Sequence, residues 1–459
     1  MKQMISLLLS LVMVLALVAC SDTTVSTHTP TSSSTTAPAQ KPSAEMLEEF
    51  SKTATIEETI MVDEDDVRII ATTLDYNDYS AELELTIENN SKKNLCFTSG
   101  TLGYSCNSVN GMMVADGYLN CDVAAGKKAM DTISLSYASL QLYGIQEIAD
   151  IEIGFCAIDE NYNYTYFTPR QVTTSASGNY DYSQPRYQET ISGTAAQNTF
   201  NYEVPFFATD RLYEKSGVAV LSQALIRNSD SEVSLLLEVE NQTQDMRIIS
   251  VSNIVINNLL VNGSNWCKEN IAPGKRGIIA INLSSVLDER YMELYGIENI
   301  GSIGFDLQQF DIDLNKITEQ EAVSIKCADV SPVKTSGEEL YNQNGVRIVA
   351  KTVLEPASEY DSYFNVLLLA ENNSNDIIEL NIPFKDLSVN GFMVDYYGSV
   401  WELQPGQYAL MEIQLSKRDL EQIKVTEANQ ITQVEFTLKI NQGETLLDES
   451  KIILNLDNK

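Results

Sequence analysis

From residue 57 onward, apolar and polar residues follow one another in short runs with a period of two. In Leu83-Glu84-Leu85-Thr86-Ile87 and in Leu237-Glu238-Val239-Glu240, aliphatic side chains fall on one face of an extended chain and polar side chains on the other. Asn and Ser or Thr come shortly after both runs, and their side chains form local hydrogen bonds that turn a chain. The pattern predicts short antiparallel strands that bury one face.

Four markers recur three times in the same order, which indicates tandem repeats. They are a hairpin around a Gly- or Asp-bearing turn, a strand that ends in Asn, a second hairpin at Asn-Gly or Asn-Asn, and a strand that ends in Leu-Ser. Asn-Gly between apolar residues is the strongest short hairpin signal, because both turn positions need positive φ. The markers are Ile60–Ile69, Asn89, Val109–Val114 and Leu135-Ser136 in copy 1; Leu212–Val220, Asn241, Ile256–Val261 and Leu283-Ser284 in copy 2; and Leu340–Ile348, Asn372, Val389–Val394 and Leu415-Ser416 in copy 3.

A short helix is predicted after each Leu-Ser strand, and a final strand after each helix. Ser with Asp three residues later is typical of a helix N-cap, and Gly after Tyr supplies a left-handed stop. A Gly turn precedes each Leu-Ser strand, and Trp precedes that turn in the last two copies, where we expect it in the core. The residues are Ser285 with Asp288, Ser416 with Asp419, Tyr143-Gly144-Ile145, Tyr295-Gly296-Ile297 (absent from copy 3), Gly126, Gly274, Gly406, Trp266 and Trp401.

Strands with one apolar face must pair two sheets to hide it, so each copy is predicted to be a β-sandwich of about seven or eight strands. Order and length resemble the immunoglobulin-like modules found in tandem on Gram-positive surface lipoproteins, many of unassigned function. The resemblance implies an all-β chain of three tandem immunoglobulin-like antiparallel β-sandwich modules, each with one short helix. A jelly roll or a small barrel is the alternative, because the Cys-Trp-Cys signature of antibody domains is absent. The modules are predicted at 57–174, 208–331 and 332–459, with a Tyr/Ser-rich linker or extended ornament at 175–207.

The first twenty residues resemble a bacterial lipoprotein signal. An apolar run from Met4 to Ala19 follows Lys2, and Leu17-Val18-Ala19-Cys20 matches the lipobox. The resemblance implies removal of the signal peptide 1–19 and attachment of lipid to Cys20, which anchors the chain on the outer face of the cell membrane. Residues 20–56 are predicted to form a tether, disordered from Ser21 to about Ala44, because Ser, Thr and Pro cannot bury enough apolar surface to offset ordering.

Composition excludes several functions. The net charge of −34 repels phosphate backbones, so no nucleic-acid partner is expected. The only histidine, His28, lies in the tether, which excludes Ser-His-Asp and Cys-His catalysis and His-ligated metal sites in the folded part. The cysteines other than Cys20 permit disulfides, with buried free thiols as the alternative. These cysteines are Cys96, Cys106, Cys121, Cys156, Cys267 and Cys327.

Two groups of residues are candidate binding sites. Tyr162, Tyr164 and Tyr166 alternate, so we expect their rings on one strand face, as a surface for glycan or protein or as ordinary strand composition. Acidic residues cluster at 63–66 and at Asp306, Asp311 and Asp313, but they lack the spacing of a known calcium loop, which favours solvated turns. No cofactor, metal or catalytic residue is predicted.

These observations predict a non-catalytic, membrane-anchored surface lipoprotein whose modules act as a spacer and as a protein- or glycan-binding stalk. Two alternatives are a carbohydrate-acting accessory protein or enzyme that uses paired carboxylates, and a solute-binding lipoprotein that serves a transporter. A cleft with two carboxyl groups would favour the first alternative, and a mainly helical α/β fold would favour the second.

Overall fold

The computed structural model describes residues 45–100, 107–262, 267–284, 289–356, 358, 361–383, 386–398 and 400–456. Within these residues the chain is all-β with several sheets and a few short helices. The predicted signal peptide and most of the tether therefore lie outside the described residues. So do the individual residues Cys20, His28, Cys106, Trp266, Ser285 and Asp288.

The bounds of the elements follow the sequence repeats, which are called copy 1, copy 2 and copy 3 below. Copy 1 contains β1 (Thr59–Glu64), β2 (Val67–Tyr76), β3 (Ser80–Asn89), β4 (Leu95–Ser99), β5 (Asn107–Val109), β6 (Met112–Val114), β7 (Asn120–Val123), β8 (Lys127–Ser136), α1 (Tyr137–Leu142), β9 (Asp150–Glu152), β10 (Phe155–Asp159), β11 (Tyr164–Tyr166) and β12 (Gln171–Thr173). The segment after copy 1 contains a 3₁₀ turn (Ser177–Asn179), α2 (Arg186–Ser192), α3 (Thr194–Phe200) and β13 (Tyr202–Ala208).

Copies 2 and 3 repeat this order of elements. Copy 2 contains β14 (Tyr213–Lys215), β15 (Val218–Asn228), β16 (Val233–Asn241), β17 (Arg247–Ile256), β18 (Leu259–Asn262), β19 (Cys267–Ile271), β20 (Arg276–Asn282), α4 (Glu289–Tyr295), β21 (Ser302–Phe310) and β22 (Glu321–Lys326). Copy 3 contains β23 (Glu338–Gln343), β24 (Val346–Leu354), β25 (Tyr363–Asn372), β26 (Ile378–Asn381), β27 (Leu387–Val389), β28 (Phe392–Met393), β29 (Tyr396–Gly398), β30 (Trp401–Leu403), β31 (Tyr408–Ser416), α5 (Lys417–Gln422), a 3₁₀ turn (Ala428–Gln430), β32 (Gln433–Gln442) and β33 (Thr445–Asn455).

The described chain divides into two compact units. The first comprises residues up to Ile249, Glu269–Asn282 and Phe310–Ile317, and the second comprises Ser250–Lys268, Leu283–Gln309 and the chain from Thr318 onward. Sheets of the first unit have the strand orders β1-β2-β3-β8, β11-β10-β4-β7 and β12-β9-β5-β6-β20-β16-β15-β13, with β14 also paired to β15. The main sheets of the second unit have the orders β22-β21-β17-β18-β31-β25-β24-β23, with β29 beside β31, and β28-β27-β32-β26-β30, with β33 beside β32.

Copy 1 has a sandwich-like core. Alternation along β3 places Leu83, Leu85 and Ile87 on the inner face, where all three are fully buried. They belong to the same apolar cluster as Phe97 of β4 and Phe155 of β10, which come from a different sheet. The predicted one-faced burial of this strand is therefore confirmed.

The predicted hairpin turns are confirmed, because both turn positions have positive φ. In the second hairpin, φ is 52° and 77° at Asn110-Gly111, 51° and 68° at Asn257-Asn258, and 50° and 81° at Asn390-Gly391. These values match type I′ turns, whose twist follows that of the flanking strands.

The Asn that ends the second marker forms the same buried bracket in all three copies. Asn241 donates from its amide nitrogen to the carbonyl oxygens of Asp245 at 2.8 Å and Ile271 at 2.9 Å, and its Oδ1 accepts from the hydroxyl of Thr243 at 2.7 Å. Asn89 and Asn372 make the equivalent bonds. All three are at most 1% exposed, so their side chains are structural.

The short helices and their ends follow the predicted pattern where they are described. Ser416 caps α5 by accepting from the Asp419 amide, and Gly144 and Gly296 both have φ of 76° after α1 and α4. A Cβ on Gly144 would lie 2.6 Å from the Arg186 backbone, and one on Gly296 would lie 3.2 Å from the Pro332 carbonyl oxygen. Gly is therefore required there for close approach of the following chain as well as for φ.

Two segments outside the predicted modules are folded. Residues 45–56, which we assigned to the tether, pack on copy 1, with the Phe50 ring stacked 4.6 Å from that of Tyr137. The segment 175–207, predicted as a linker or ornament, forms α2 and α3. Phe200 of α3 shares a core cluster with Leu236 of copy 2. This segment therefore covers the outer face of the first sheet of copy 2.

Candidate functional site

The predicted tyrosine surface is formed by two of its three members. Tyr164 and Tyr166 lie on the same face of β11, 50% and 41% exposed, with ring centroids 6.2 Å apart and planes 15° apart. Tyr162 does not share that face, because it lies in the preceding turn with φ of 60°. The two rings are nearly parallel and stacked, and they form an exposed aromatic surface at the edge of the sheet, which is called the platform below.

The strand register shows what lies beside this platform. Tyr166 is opposite Cys156, which is opposite Thr98 and then Asn120, so these side chains share the outer face. The parallel row runs from Tyr164 through Ile158 and Cys96 to Asp122. Polar groups therefore stand across the sheet from an aromatic edge, an arrangement that suits a ligand with apolar faces and hydroxyl groups.

The cysteines near this face are in the thiol form. Cys96, Cys121 and Cys156 are free, as is Cys327 of copy 2. Burial raises the pKa of Cys121 and Cys327 to about 11 and also raises the pKa of Cys96 and Cys156. Thiols of this kind are poor nucleophiles at neutral pH.

The acidic residues do not converge on one point. Asp306 accepts from the side-chain amides of Asn253 at 2.7 Å and Gln320 at 2.6 Å, whereas Asp311 closes its own turn by accepting from the Asn315 amide. Among the described residues, no three His, Cys, Asp or Glu side chains are grouped as metal ligands would be. Residues 63–66 form the end of the first hairpin.

Sequence reasoning missed a cleft of about 190 Å³ where copy 1, the 175–207 segment and copy 2 meet within the first unit. Tyr182 donates its hydroxyl to buried Asp150, and the ring of Tyr180 lies 4.8 Å from that of Tyr182. The Arg186 guanidinium lies 4.7 Å above the Tyr180 ring. Burial, followed by the Asp150 carboxylate, raises the pKa of Tyr182, so its hydroxyl stays protonated. The tyrosines were visible in the sequence, but the fold of this segment was not.

A buried carboxylate also lies beneath the 175–207 segment. Glu238 is fully buried, and its Oε2 accepts from Gln188 of α2 at 2.7 Å and from Ser222 of β15 at 2.9 Å. Arg276 of β20 lies 3.6 Å from the other oxygen. Alternation placed Glu238 on the polar face correctly, but the preceding segment 175–207 buries that face, so this glutamate is structural.

Comparisons with known proteins do not identify a family. No family model matches the sequence, and no curated protein matches it. Solved structures with partial likeness include a 1.5-MDa bacterial ice-binding adhesin (8% identity, 82% of this chain and 90% of that chain, TM-score 0.14) and the BSP domain of a biofilm-associated protein (8%, 89% and 68%, TM-score 0.15). The Amycolatopsis orientalis exo-chitosanase CsxA is a third (7% identity, 89% and 79%, TM-score 0.17). TM-scores this low relate neither fold nor function.

The helices of the described residues are all short. None of them is both long enough and apolar enough to span a membrane.

Proposed function

We propose that this protein is a non-catalytic surface lipoprotein, anchored through Cys20 at the outer face of the cell membrane. Its three copies act as tandem immunoglobulin-like β-sandwich modules that hold a glycan-binding surface away from the lipid. The observation that carries the binding role is the exposed platform of Tyr164 and Tyr166. Exposed aromatic rings pack against the C–H faces of sugar rings. The polar side chains across the sheet, Thr98, Asn120 and Asp122, suit the hydroxyl groups of a sugar.

The spacer role is supported by the way consecutive copies are joined. Within the first unit β6 of copy 1 pairs with β20 of copy 2, and within the second unit β18 of copy 2 pairs with β31 of copy 3. Strand pairing between copies restricts hinge motion more than a flexible linker does. Each joint therefore limits motion between the two copies that it connects.

Glycan binding is tested by an oligosaccharide array, followed by titration of the best oligosaccharide against wild type, Tyr164→Ala and Tyr166→Ala. Loss of either ring should weaken binding about tenfold, since central tyrosines dominate small interfaces. Tyr79→Ala is the matched control, because Tyr79 is 78% exposed and lies outside β11. An empty array together with an empty pull-down from surface extracts would refute the proposal, as would binding that both variants retain.

Anchoring is tested separately by palmitate labelling in the native host. Wild type should carry label and fractionate with membranes, and Cys20→Ala should lose both properties. Equal labelling of the two chains would refute lipidation at Cys20 without bearing on glycan binding.

A further inference from the structure

The two joints between consecutive copies have the same register. Met112 of β6 is opposite Arg276 of β20, and Leu259 of β18 is opposite Tyr408 of β31, both in parallel pairs. Met112 and Leu259 each directly follow the type I′ turn of their copy. Arg276 and Tyr408 each lie two residues after the Gly turn, at Gly274 and Gly406.

The hydrogen bond that begins each joint is also the same. The Arg276 amide donates to the Gly111 carbonyl oxygen at 3.0 Å, and the Tyr408 amide donates to the Asn258 carbonyl oxygen at 3.1 Å. Each acceptor is the second residue of a type I′ turn. The chain therefore uses one edge-to-edge joint twice, between a hairpin of one copy and the Leu-Ser strand of the next.

Within the described chain, two edges of this kind are not paired with a strand of another copy. The tail edge is β28 of copy 3 with its turn Asn390-Gly391, and β28 pairs only with β27. Its residues Phe392 and Met393 are 57% and 64% exposed, whereas Met112 and Leu259, which occupy the place of Phe392 in copies 1 and 2, are buried.

The head edge is the start of β8 in copy 1, which pairs only with β3. Lys128 lies two residues after Gly126, so it occupies the place of Arg276 and Tyr408. Met130, which occupies the place of Ile278 and Leu410, is 75% exposed. Leu410 is 5% exposed and Ile278 is partly buried against a core cluster.

The turn of the tail hairpin is fixed by hydrogen bonds of the Asn390 side chain. The Asn390 side chain donates to the Gln430 carbonyl oxygen at 2.8 Å and accepts from the amides of Thr432 and Gln433. Asn110 and Asn257 make the equivalent bonds in the hairpins that already take part in joints. The tail hairpin at Asn390 is therefore fixed by the same hydrogen bonds as the two hairpins that already pair with another copy.

The charges at the two edges are complementary. At the joint between copies 1 and 2, the Lys275 ammonium lies 3.1 Å from Glu152, which is opposite Ser108 of β5. The residue in the place of Lys275 at the head edge is Lys127. The residue in the place of Glu152 at the tail edge is Glu435, which is opposite Ser388 of β27 and also forms an ion pair with Lys451 of β33 at 2.5 Å.

We propose that the tail edge of one chain pairs with the head edge of a second copy of the same chain. Phe392 lies opposite Lys128 in this contact, the Lys128 amide donates to the Gly391 carbonyl oxygen, and Lys127 forms an ion pair with Glu435. The contact joins two different surfaces, so it is heterologous and links copies head to tail.

This contact is smaller than the internal joints. The outer face of β3 carries Glu82, Glu84 and Glu88, in place of the buried outer face with Leu236 that the 175–207 segment covers in copy 2. Copy 3 has Ile423 where copies 1 and 2 have Tyr143 and Tyr295, and the Tyr295 hydroxyl donates to the Leu368 carbonyl oxygen of copy 3. The association is therefore transient and depends on protein concentration.

The experiment is sedimentation velocity across a concentration series, on the full chain carrying Cys20→Ser so that no lipid associates the chains. Wild type should form dimers and longer species as concentration rises. Lys127→Glu and Glu435→Lys should each weaken association about tenfold, because each places like charges at the contact. An equimolar mixture of these two variants should restore association, since the reversed head then meets the reversed tail.

Two further variants keep the test independent of folding and of non-specific charge. Lys128→Pro removes the donor amide at an outward-facing edge position, where proline is tolerated, and should also weaken association. Lys439→Glu reverses a charge on β32 away from both edges and should leave association unchanged. Circular dichroism confirms folding of every variant. A wild type that stays monomeric, association that survives Lys127→Glu and Lys128→Pro, or a mixture that fails to associate would each overturn the proposal.

Discussion

Strands β3 and β16 have the same place in their copies but different outer faces. Both have a fully buried aliphatic inner face, and both end in the buried Asn bracket. The outer positions of β3 include Glu84 and Thr86 and are partly exposed. The corresponding residues of β16, Leu236 and Glu238, are 6% and 0% exposed.

The difference arises from what precedes each sheet along the chain. Tyr187 and Ile191 of α2 and Phe200 of α3 belong to the same core cluster as Ala224 and Leu236 of copy 2. In copy 1, the outer face of β3 stays polar. The inner face is thus common to the copies, whereas the outer face depends on where the copy lies along the chain. Terminal repeats of repeat proteins likewise carry a polar outer face.

The largest effect in this comparison is expected from Glu238→Ala. Its loss leaves the side chains of Gln188 and Ser222 without their buried acceptor. Arg276 keeps its contact with Glu240 at 3.2 Å. Two buried donors left unsatisfied cost about 3–4 kcal/mol together, at roughly 1–3 kcal/mol each. The free energy of unfolding of the first unit, measured by urea denaturation with far-UV circular dichroism, should fall accordingly.

The control for Glu238→Ala is Thr86→Ala, which alters the equivalent position of β3. That side chain is partly exposed, so a change of less than about 0.5 kcal/mol is expected. Equal destabilisation by the two variants would contradict the assignment of Glu238 as the anchor of the covered face.

A second variant pair tests what the two regions share. Asn89→Ala and Asn241→Ala each remove a side chain that satisfies two buried carbonyl oxygens, so each should cost roughly 2–3 kcal/mol. Because the bracket is the same in both copies, the two losses measured by urea denaturation should agree closely. Replacing exposed Asn90 by Ala is the control and should have little effect. Strongly unequal losses would show that the inner frame is not common to the copies.

The apolar part of the covered face is tested by Leu236→Ala against Glu84→Ala. Truncation of Leu236 leaves a gap beneath α2 and α3 and should cost about 2 kcal/mol. Truncation of Glu84, which is opposite Thr73 and Thr132 on the polar face of copy 1, should change stability by less than about 0.5 kcal/mol. Thermal denaturation of both variants measures the difference. A larger loss at Glu84 would reverse our account of the two faces.

Local features were readable from the sequence because they depend on neighbouring residues. The Asn-Gly turn at Asn390, the cap at Ser416 and the left-handed stop at Gly144 were each predicted from a few adjacent positions. The burial of Trp401 was also predicted and is confirmed at 2% exposure. Each of these features is decided by turn chemistry or by a strong apolar preference.

Features that depend on distant segments were missed. Glu238 is buried by α2, whose residues gave no clear helical pattern, and the cleft beside Tyr182 requires that same segment. The parallel pairing of Leu259 with Tyr408 joins residues far apart in the chain and leaves no local signal. Three adjacent leucines at 235–237 were the one hint that both faces of β16 are covered, whereas β3 alternates strictly.

The smallest effect on stability is expected at a turn that recurs in copies 1 and 2 but has different neighbouring charges. Asn163 lowers the pKa of Asp159 by hydrogen bonding, and Lys93, whose ammonium is 2.7 Å away, lowers it further. Asn315 lowers the pKa of Asp311 in the same kind of turn.

A carboxyl whose folded pKa lies below its unfolded value of about 3.9 contributes stability above that value, and the contribution is lost as pH falls through the folded pKa. Asp159→Asn and Asp311→Asn should therefore both reduce the loss in thermal midpoint between about pH 6 and about pH 2, with the larger change for Asp159 because of Lys93. Lys93→Met should bring copy 1 close to copy 2, and Lys92→Met is the control. An acid response that is the same in wild type and Asp159→Asn would show that the Lys93 contact adds nothing to this turn.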